Sequence, residues 1–465
     1  MLKTSIQRWV LQGAMSLALG AISLCCWPGV ACAQPSVYPS GVTVYYPKQA
    51  YNSYVLFDAP DNRTHLIDMD GNAVHAWSYV GFPSEMIAPK LMGGRRGDIF
   101  VQLTSLKREP PGVAREEAVG YENRTFGIVN WNDKVVWQWG LQAPGGAAHQ
   151  SHDEERLANG DTLIISLWYH HVKGFVLPKV MDNVIEEISP SGVIVWRWVA
   201  SAHLNELGFT SAEVALIHAT HTLEYLHINA MQTLGPNKWF AAGDKRFAPD
   251  NILISSRNAN FVAIIDKKTG RVVWEIGPHY VAVGPGQHID RSGLTNDEMT
   301  GQHDAHMIPE NLPGGGDILL LDDQGEAGYP PVRMGVMSGS RVLEINPETK
   351  KVVWSYSALN SGEPTWDFYT SFMGSAQRLP NGNTLIDEAM NGRFFQVTPK
   401  GKIVWEYVSP YFRGTYVWGV NRNVVSNYAY RAQAVPYAWL PNGTPHSELP
   451  VTPPAPGEFH IDVQR

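Results

Sequence analysis

The sequence predicts an all-β chain folded as a six-bladed β-propeller in a single domain. Three observations predict it. A hairpin ending in tryptophan recurs six times, a second turn motif follows in several copies, and the composition favours short strands joined by many turns.

The hairpin reads as an apolar strand, a turn containing Asp, Asn or Gly, and a second strand that reaches a tryptophan. Its copies run from Leu66 to Trp77, Gly127 to Trp137, Ile188 to Trp196, Ala263 to Trp274, Leu343 to Trp354 and Phe395 to Trp405. The turn residues tolerate unusual backbone angles, and the flanking runs alternate apolar and polar, as hairpin strands do. Successive tryptophans stand 60, 59, 78, 80 and 51 residues apart. A strand-only repeat of that length suits propeller blades better than the shorter coils of a solenoid. The repeated tryptophan is expected to pack between neighbouring blades.

The second motif is Leu157-Ala-Asn-Gly-Asp-Thr-Leu-Ile, matched by Leu379-Pro-Asn-Gly-Asn-Thr-Leu-Ile and more loosely by Leu312-Pro-Gly-Gly-Gly-Asp-Ile-Leu. It supplies the other hairpin turn of a four-stranded blade, whose innermost strand lines a central channel. The longer spacings leave residues 200–225 and 281–300 as loops or short helices over one face.

The chain has 465 residues, 44% hydrophobic and 17% charged, with 43 glycines and 32 prolines. Lys3 and Arg8, an apolar run from Val10 to Trp27 and the small residues Ala31-Cys32-Ala33 read as a cleaved signal peptide. The apolar run is broken by Gln12, Gly13, Ser16 and Gly20, which disfavours a membrane anchor. The expected organisation is signal peptide 1–33, lead-in 34–45, propeller 46–450 and C-terminal tail 451–465, with export to the periplasm or beyond. Cys25, Cys26 and Cys32 all fall in the expected leader, so the mature chain has no disulfide, thiolate metal site or cysteine nucleophile. Loss of Lys3 and Arg8 moves the net charge from −8 to −10. An acidic chain without basic clusters does not suit nucleic acid.

His152, His227 and His303 each stand just before a hairpin turn, in three different repeats. Equivalent positions on successive blades converge on the axis, so the three imidazoles are expected to share a pocket. Arg257 ends the strand after His227 and could reach the same axis. Two readings follow. Three imidazoles can hold zinc or copper. Alternatively the histidines and the arginine fork bind an oxyanion that one imidazole attacks. The arginine, which would repel a cation, favours the anion site.

These residues lie in motifs that resemble the bacterial arylsulfate sulfotransferases, the group that uses no nucleotide donor. The motifs are Gln302-His303-Asp304-Ala305 with Ile318–Asp322, His227-Ile228-Asn229 with Ile254-Ser-Ser-Arg257, and His152-Asp153 with Leu157–Gly160. Gly374–Gly382 and the opening Tyr38–Val44 agree too. The resemblance covers nearly all of the expected mature chain. It implies a six-bladed propeller, no cofactor and no metal, and a ping-pong transfer of a sulfuryl group from a phenolic sulfate to a phenol. By motif, His303 carries the group. His227, Arg257 and His152 surround it and assist proton transfer, and Asn229 supports the pocket. Sulfuryl transfer, like phosphoryl transfer, spreads charge over peripheral oxygens, where preorganised donors act.

The sequence departs from that family in three ways. The separate N-terminal β-domain of some members, linked to dimerisation, has no counterpart, so a monomer is favoured. Their disulfide near the site cannot form. The stretch between His227 and Arg257 is expanded around Gly235-Pro-Asn-Lys-Trp. His149, His218, His221 and His306 read as structural or rim residues. Tyr428, Tyr430 and Arg431 close the last blade or rim the pocket. The competing classes are a non-catalytic exported propeller that binds a ligand, a metal-dependent hydrolase, and a quinone-dependent dehydrogenase, which the missing adjacent cysteines disfavour.

Overall fold

The computed structural model describes residues 39–105, 122–277, 299–329, 331, 338–415 and 424–453. The expected signal peptide, all three cysteines, most of 281–300 and most of the C-terminal tail lie outside them. The described residues belong to one compact unit, Gln34–Arg465.

The protein is an all-β propeller with few helices. Four-strand antiparallel sets follow one another along the chain, each from an inner strand through two middle strands to an outer one. The set built on Ile228–Thr233, Ile252–Ser256, Phe261–Ile265 and Val272–Ile276 is typical. Two middle strands of this set are buried along their whole length, as expected of strands covered on both faces. The expected turns form: Leu157 N–H donates to Asp161 O at 2.9 Å, and Leu379 N–H to Asn383 O at 2.9 Å. Residues 200–225 carry a short helix, Ser211–His218, started by a capping box between Thr210 and Glu213.

The sheets differ from the expectation of six separate blades. Among the described residues there is one eight-stranded sheet, one five-stranded sheet, three four-stranded sheets and a two-stranded ribbon. Two sets run on as the eight-stranded sheet because Asn123 pairs with Gln150. The Asn123 side chain also donates to Gln150 O at 3.0 Å.

Both ends of the described chain are woven into distant sets. Ala432–Val435 forms the inner strand beside Tyr54–Ala59, and Gly41–Tyr45 pairs with the outer edge of Ile403–Val408. Each inner strand contacts the next, from Val80–Met86 through Ala432–Val435 and back to the first.

Tryptophan indoles join the outer parts of the sets. Trp77 Nε1–H donates to Asn130 O (3.1 Å), Trp139 to Gly192 O (3.0 Å) and Trp198 to Gly270 O (3.0 Å). Trp274 donates to Pro347 O (2.7 Å), Trp354 to Pro399 O (2.9 Å) and Trp405 to Met69 O (2.8 Å). Each bond reaches the hairpin turn of the following set, and the last returns to the first. The inter-blade role expected of the repeated tryptophan is therefore observed. In two repeats the sealed residue is Trp139 or Trp198, two positions after the tryptophan singled out in the sequence. Trp137 and Trp196 make parallel bonds to Pro190 O and Lys267 O nearer the surface.

Carboxylates crowd the inner strands and the strands paired with them. Burial holds Asp58, Glu154 and Asp387 above the usual carboxylate range. Asp153, Glu85 and Asp58 raise Glu154 further, and Asp58, Glu388 and Asp304 raise Asp387. Asp58 is pushed to about 7.

Two outcomes follow. Trp405→Phe removes the indole donor and strands Met69 O, which costs about 1–3 kcal/mol of stability in denaturant unfolding. Trp137→Phe, at a partly exposed bond, costs about 0.5 kcal/mol or less. Equal losses would contradict the closing role of Trp405. For Asp58, the unfolded chain titrates near about 3.9. Its stabilising contribution is complete below that pH and is lost as pH rises through about 7. The thermal midpoint should fall between pH 4 and 8, and Asp58→Asn should flatten part of that fall. An unchanged slope in the variant would contradict the assignment.

Candidate functional site

The three histidines occupy the same end of three consecutive inner strands. His152 lies in Gln150–Arg156, His227 immediately precedes Ile228–Thr233, and His303 opens His303–Met307. A register shift interrupts pairing beside each one, between Ile164 and Ser166, Ile228 and Ala230, and His303 and His306. His152, His227 and Asp304 have φ of 63°, 54° and 53°. Left-handed backbone at a bulge turns a side chain out of its strand alternation, and residues without glycine's freedom adopt it at a cost. Here it turns imidazoles toward one another.

The His152 and His227 rings lie 4.4 Å apart, centroid to centroid. Tyr430 sits between the outer two, 5.9 Å from His152 and 6.4 Å from His303. His152 and His303 are almost sealed, while His227 keeps some exposure. Arg257 does reach this region. Its N–H donates to His227 O at 2.9 Å, and its guanidinium donates to Asn258 Oδ1 at 2.9 Å. Its charge acts on both His303 and His152. The expansion before it, which includes the short helix Lys238–Ala241, therefore leaves Arg257 beside the histidines. Asn229 is buried in the wall, donating to Gln302 O at 2.8 Å, and is a support for the segment bearing His303.

His303 has a defined tautomer. Its Nδ1 lies 3.0 Å from Gly301 O and is also bonded to the Asp323 carboxylate. A carbonyl oxygen only accepts, so Nδ1 carries the proton and Nε2 carries the lone pair. Nε2 accepts a long bond, 3.3 Å, from Met373 N–H. Burial lowers the His303 pKa well below that of a free imidazole, and the charges of Arg257 and His227 lower it further, so the ring is neutral. His152 is held neutral by burial and by His227, His303 and Arg431.

The loop before His303 is anchored by Gln302, whose amide donates to Ser255 Oγ (3.1 Å), Ser256 O (2.9 Å) and Phe261 O (2.9 Å). Gly325, two residues after Asp323, passes under Ser371 where a Cβ would stand 2.3 Å from Ser371 O. His227 Nδ1 pairs with Glu224 at 2.7 Å. An apolar group of Phe82, Phe372, Met373, Met390, Tyr428 and Tyr430 adjoins the imidazoles, with Phe82 stacked on Tyr430 at 3.8 Å and 5.5 Å from His152.

Sequence reasoning missed Asp323, Glu224, Phe82 and Met373, and left Tyr430 and Arg431 open. Their shared signal was positional: Phe82, Met373 and Tyr430 stand at or just before the inner strands of the other sets. His306 bonds to Asp304 O at 2.8 Å, His149 bonds to Glu122, His218 packs on Phe175, and His221 is exposed. Among the described residues no three His, Asp or Glu side chains are arranged to hold a metal ion. No described helix is long and apolar enough to cross a membrane. A surface recess of about 430 Å³ beside Lys90, Arg96 and Trp439 contains none of these residues.

Among solved structures the chain is similar to a protein of unknown function from Bacteroides caccae. That match has a TM-score of 0.44 and 11% identity, covering 82% of this chain and 98% of that one. It is also similar to the Cps50 (Swd1) β-propeller domain of Myceliophteria thermophila, with a TM-score of 0.37 and 9% identity, covering 81% and 88%. A third is virginiamycin B lyase from Staphylococcus aureus, with a TM-score of 0.28 and 15% identity, covering 57% of each chain. No curated protein matches the chain. The arylsulfotransferase (ASST) family matches residues 116–410, which include His152, His227, Arg257 and His303. That span is more than half of the sequence, and the chain belongs to the arylsulfotransferase family.

Proposed function

We propose that this protein moves a sulfuryl group from a phenolic sulfate ester to a phenolic acceptor, through a sulfohistidine at His303 and without a nucleotide. The observation that carries the reading is the tautomer of His303. A buried neutral imidazole with Nδ1–H held by Gly301 O and Asp323 presents its lone pair at Nε2.

In the first half-reaction Nε2 attacks sulfur, the N–S bond forms and the S–O(aryl) bond breaks with its electron pair on the phenolate. His227, held at Nδ1 by Glu224, gives that phenolate a proton. Burial raises the Asp323 carboxyl and Arg257 opposes that rise; the positive charge that develops on the His303 ring favours the Asp323 carboxylate, which then offsets it. Arg257 supplies donors to the peripheral sulfuryl oxygens, a contribution of about 3–4 kcal/mol by analogy with an oxyanion hole. His152, kept neutral by burial, donates a hydrogen bond there and is a poor source of a proton. In the second half-reaction the acceptor phenol gives its proton to His227 and attacks sulfur. The N–S bond breaks and the lone pair returns to Nε2. Phe82, Phe372, Tyr428 and Tyr430 receive the aryl rings.

A six-blade count accompanies this reading. It is supported by the eight-stranded sheet dividing at the single pair Asn123–Gln150 into two four-strand sets, and by the tryptophan bonds that run from set to set and return to Met69. The signal peptide 1–33, export to the periplasm or beyond, a propeller over 46–450 and monomeric action on small molecules complete the proposal.

The test is a transfer assay with an aryl sulfate and a phenol in the absence of nucleotide. Wild type should transfer, His303→Ala should not, and Asp323→Asn should lose about 10²–10⁴-fold in kcat, because an amide can donate to Nδ1 and invert the tautomer. Full turnover by His303→Ala would overturn the mechanism. No turnover by wild type would favour a non-catalytic binding propeller.

A further inference from the structure

We infer that Arg431 is a positioning residue for sulfuryl transfer: it sets the separation of His152 and His303 by clamping the aspartate that follows each of them. The inference rests on the reaction proposed above. Arg431 lies outside the 116–410 span of the family match, and its two hydrogen bonds to a carboxylate go to Asp153.

Arg431 immediately precedes the inner strand Ala432–Val435 and is only 14% exposed at its side chain. Its Nη1 donates to Asp153 Oδ1 at 2.9 Å and its Nη2 to Asp153 Oδ2 at 3.3 Å. Its Nε lies 3.3 Å from Asp304 Oδ1. Asp153 follows His152 and Asp304 follows His303, so one planar guanidinium meets both His-Asp pairs, gripping Asp153 through two hydrogen bonds and Asp304 through an ion pair without hydrogen-bond geometry. The fork fixes the guanidinium on Asp153 with its Nε edge turned to Asp304, an orientation that an ammonium, a point charge with no fixed directions, does not impose.

Each carboxylate passes the constraint to another inner strand. Asp153 Oδ2 accepts Met231 N–H at 2.8 Å, four residues after His227. Asp304 Oδ2 accepts Ala376 N–H at 3.2 Å, three residues after the Met373 whose N–H meets His303 Nε2. The clamp therefore joins the strands that carry all three imidazoles and the turn facing the nucleophile. Tyr430 adds a further tie, its hydroxyl donating to Asn229 O at 3.3 Å. The charges match as well. Burial opposes ionisation of Arg431, but Asp153 and Asp304 outweigh it and hold the guanidinium charged. Arg431 in turn opposes the rise that burial imposes on Asp153.

The test compares Arg431→Lys with the charge-balanced triple variant Arg431→Met/Asp153→Asn/Asp304→Asn. The first keeps the charge and loses the fork. The second leaves no unpaired charge and also loses the clamp, so a folding defect from a stranded carboxylate is removed. Both should melt close to wild type. Their burst of phenol from donor alone and their kcat should fall about 10–100-fold, with KM for the donor nearly unchanged, as expected of an ångström-scale misplacement of reacting groups. A wild-type burst in both variants would overturn the inference while leaving the reaction intact. So would a loss that disappears when rates are normalised to the folded fraction. Absence of a burst in wild type, whose sites are all present, would sink both the reaction and the inference.

Discussion

The hydrogen bond from each outer tryptophan to the turn of the next strand set is the constraint on which the rest of this molecule depends. A four-strand set alone has two open edges and cannot bury both faces. The indole-to-carbonyl bonds, ending with Trp405 to Met69, make every set a neighbour of two others. Once the series closes, the starts of the inner strands have a common neighbourhood. Residues 151 positions apart, such as His152 and His303, then come to share Tyr430. Ring closure is thus a condition for any site made from separate repeats, and the strands contributed by both chain ends secure it.

The interior that results is unusually charged for a place so deeply buried. Water is largely excluded, so each ionisable group is neutral, paired or raised in energy. The imidazoles of His152 and His303 take the first course, which at His303 suits attack by a lone pair. Arg431, Asp153 and Asp304 take the second. Asp58 and Asp387 take up protons more readily than free carboxylates do. The same low-dielectric environment that penalises these groups strengthens the effect of Arg257 on any anion brought between the histidines.

Much of this was legible in the sequence because repeats expose equivalent positions. The six tryptophan hairpins, the Asn-Gly turns and the three histidines all carry a periodic signal, and the structure brings those histidines together. Asp323 carries no such signal. It directly follows the buried strand Ile318–Asp322, and its importance comes from the pairing of His303 with Leu321, at the start of a bulge, which sets the imidazole beside it. Glu224 belongs to an irregular loop. Arg431 acts across more than 270 residues, and no local pattern announces a contact of that range. The deeper tryptophans at 139 and 198 were missed because alternation along a strand makes positions two apart equivalent, and only burial separates them. The sheet that joins two sets through Asn123 and Gln150 was likewise invisible, since one bridge leaves no pattern.

The central claim is that His303 carries the sulfuryl group. Intact mass of the protein after exposure to an aryl sulfate alone tests it most directly, followed by peptide mapping under conditions that preserve N–S bonds. The account predicts a single sulfuryl increment per chain, located on His303 and discharged when a phenol is added. An increment on another residue, or turnover with no increment at any time, would contradict it.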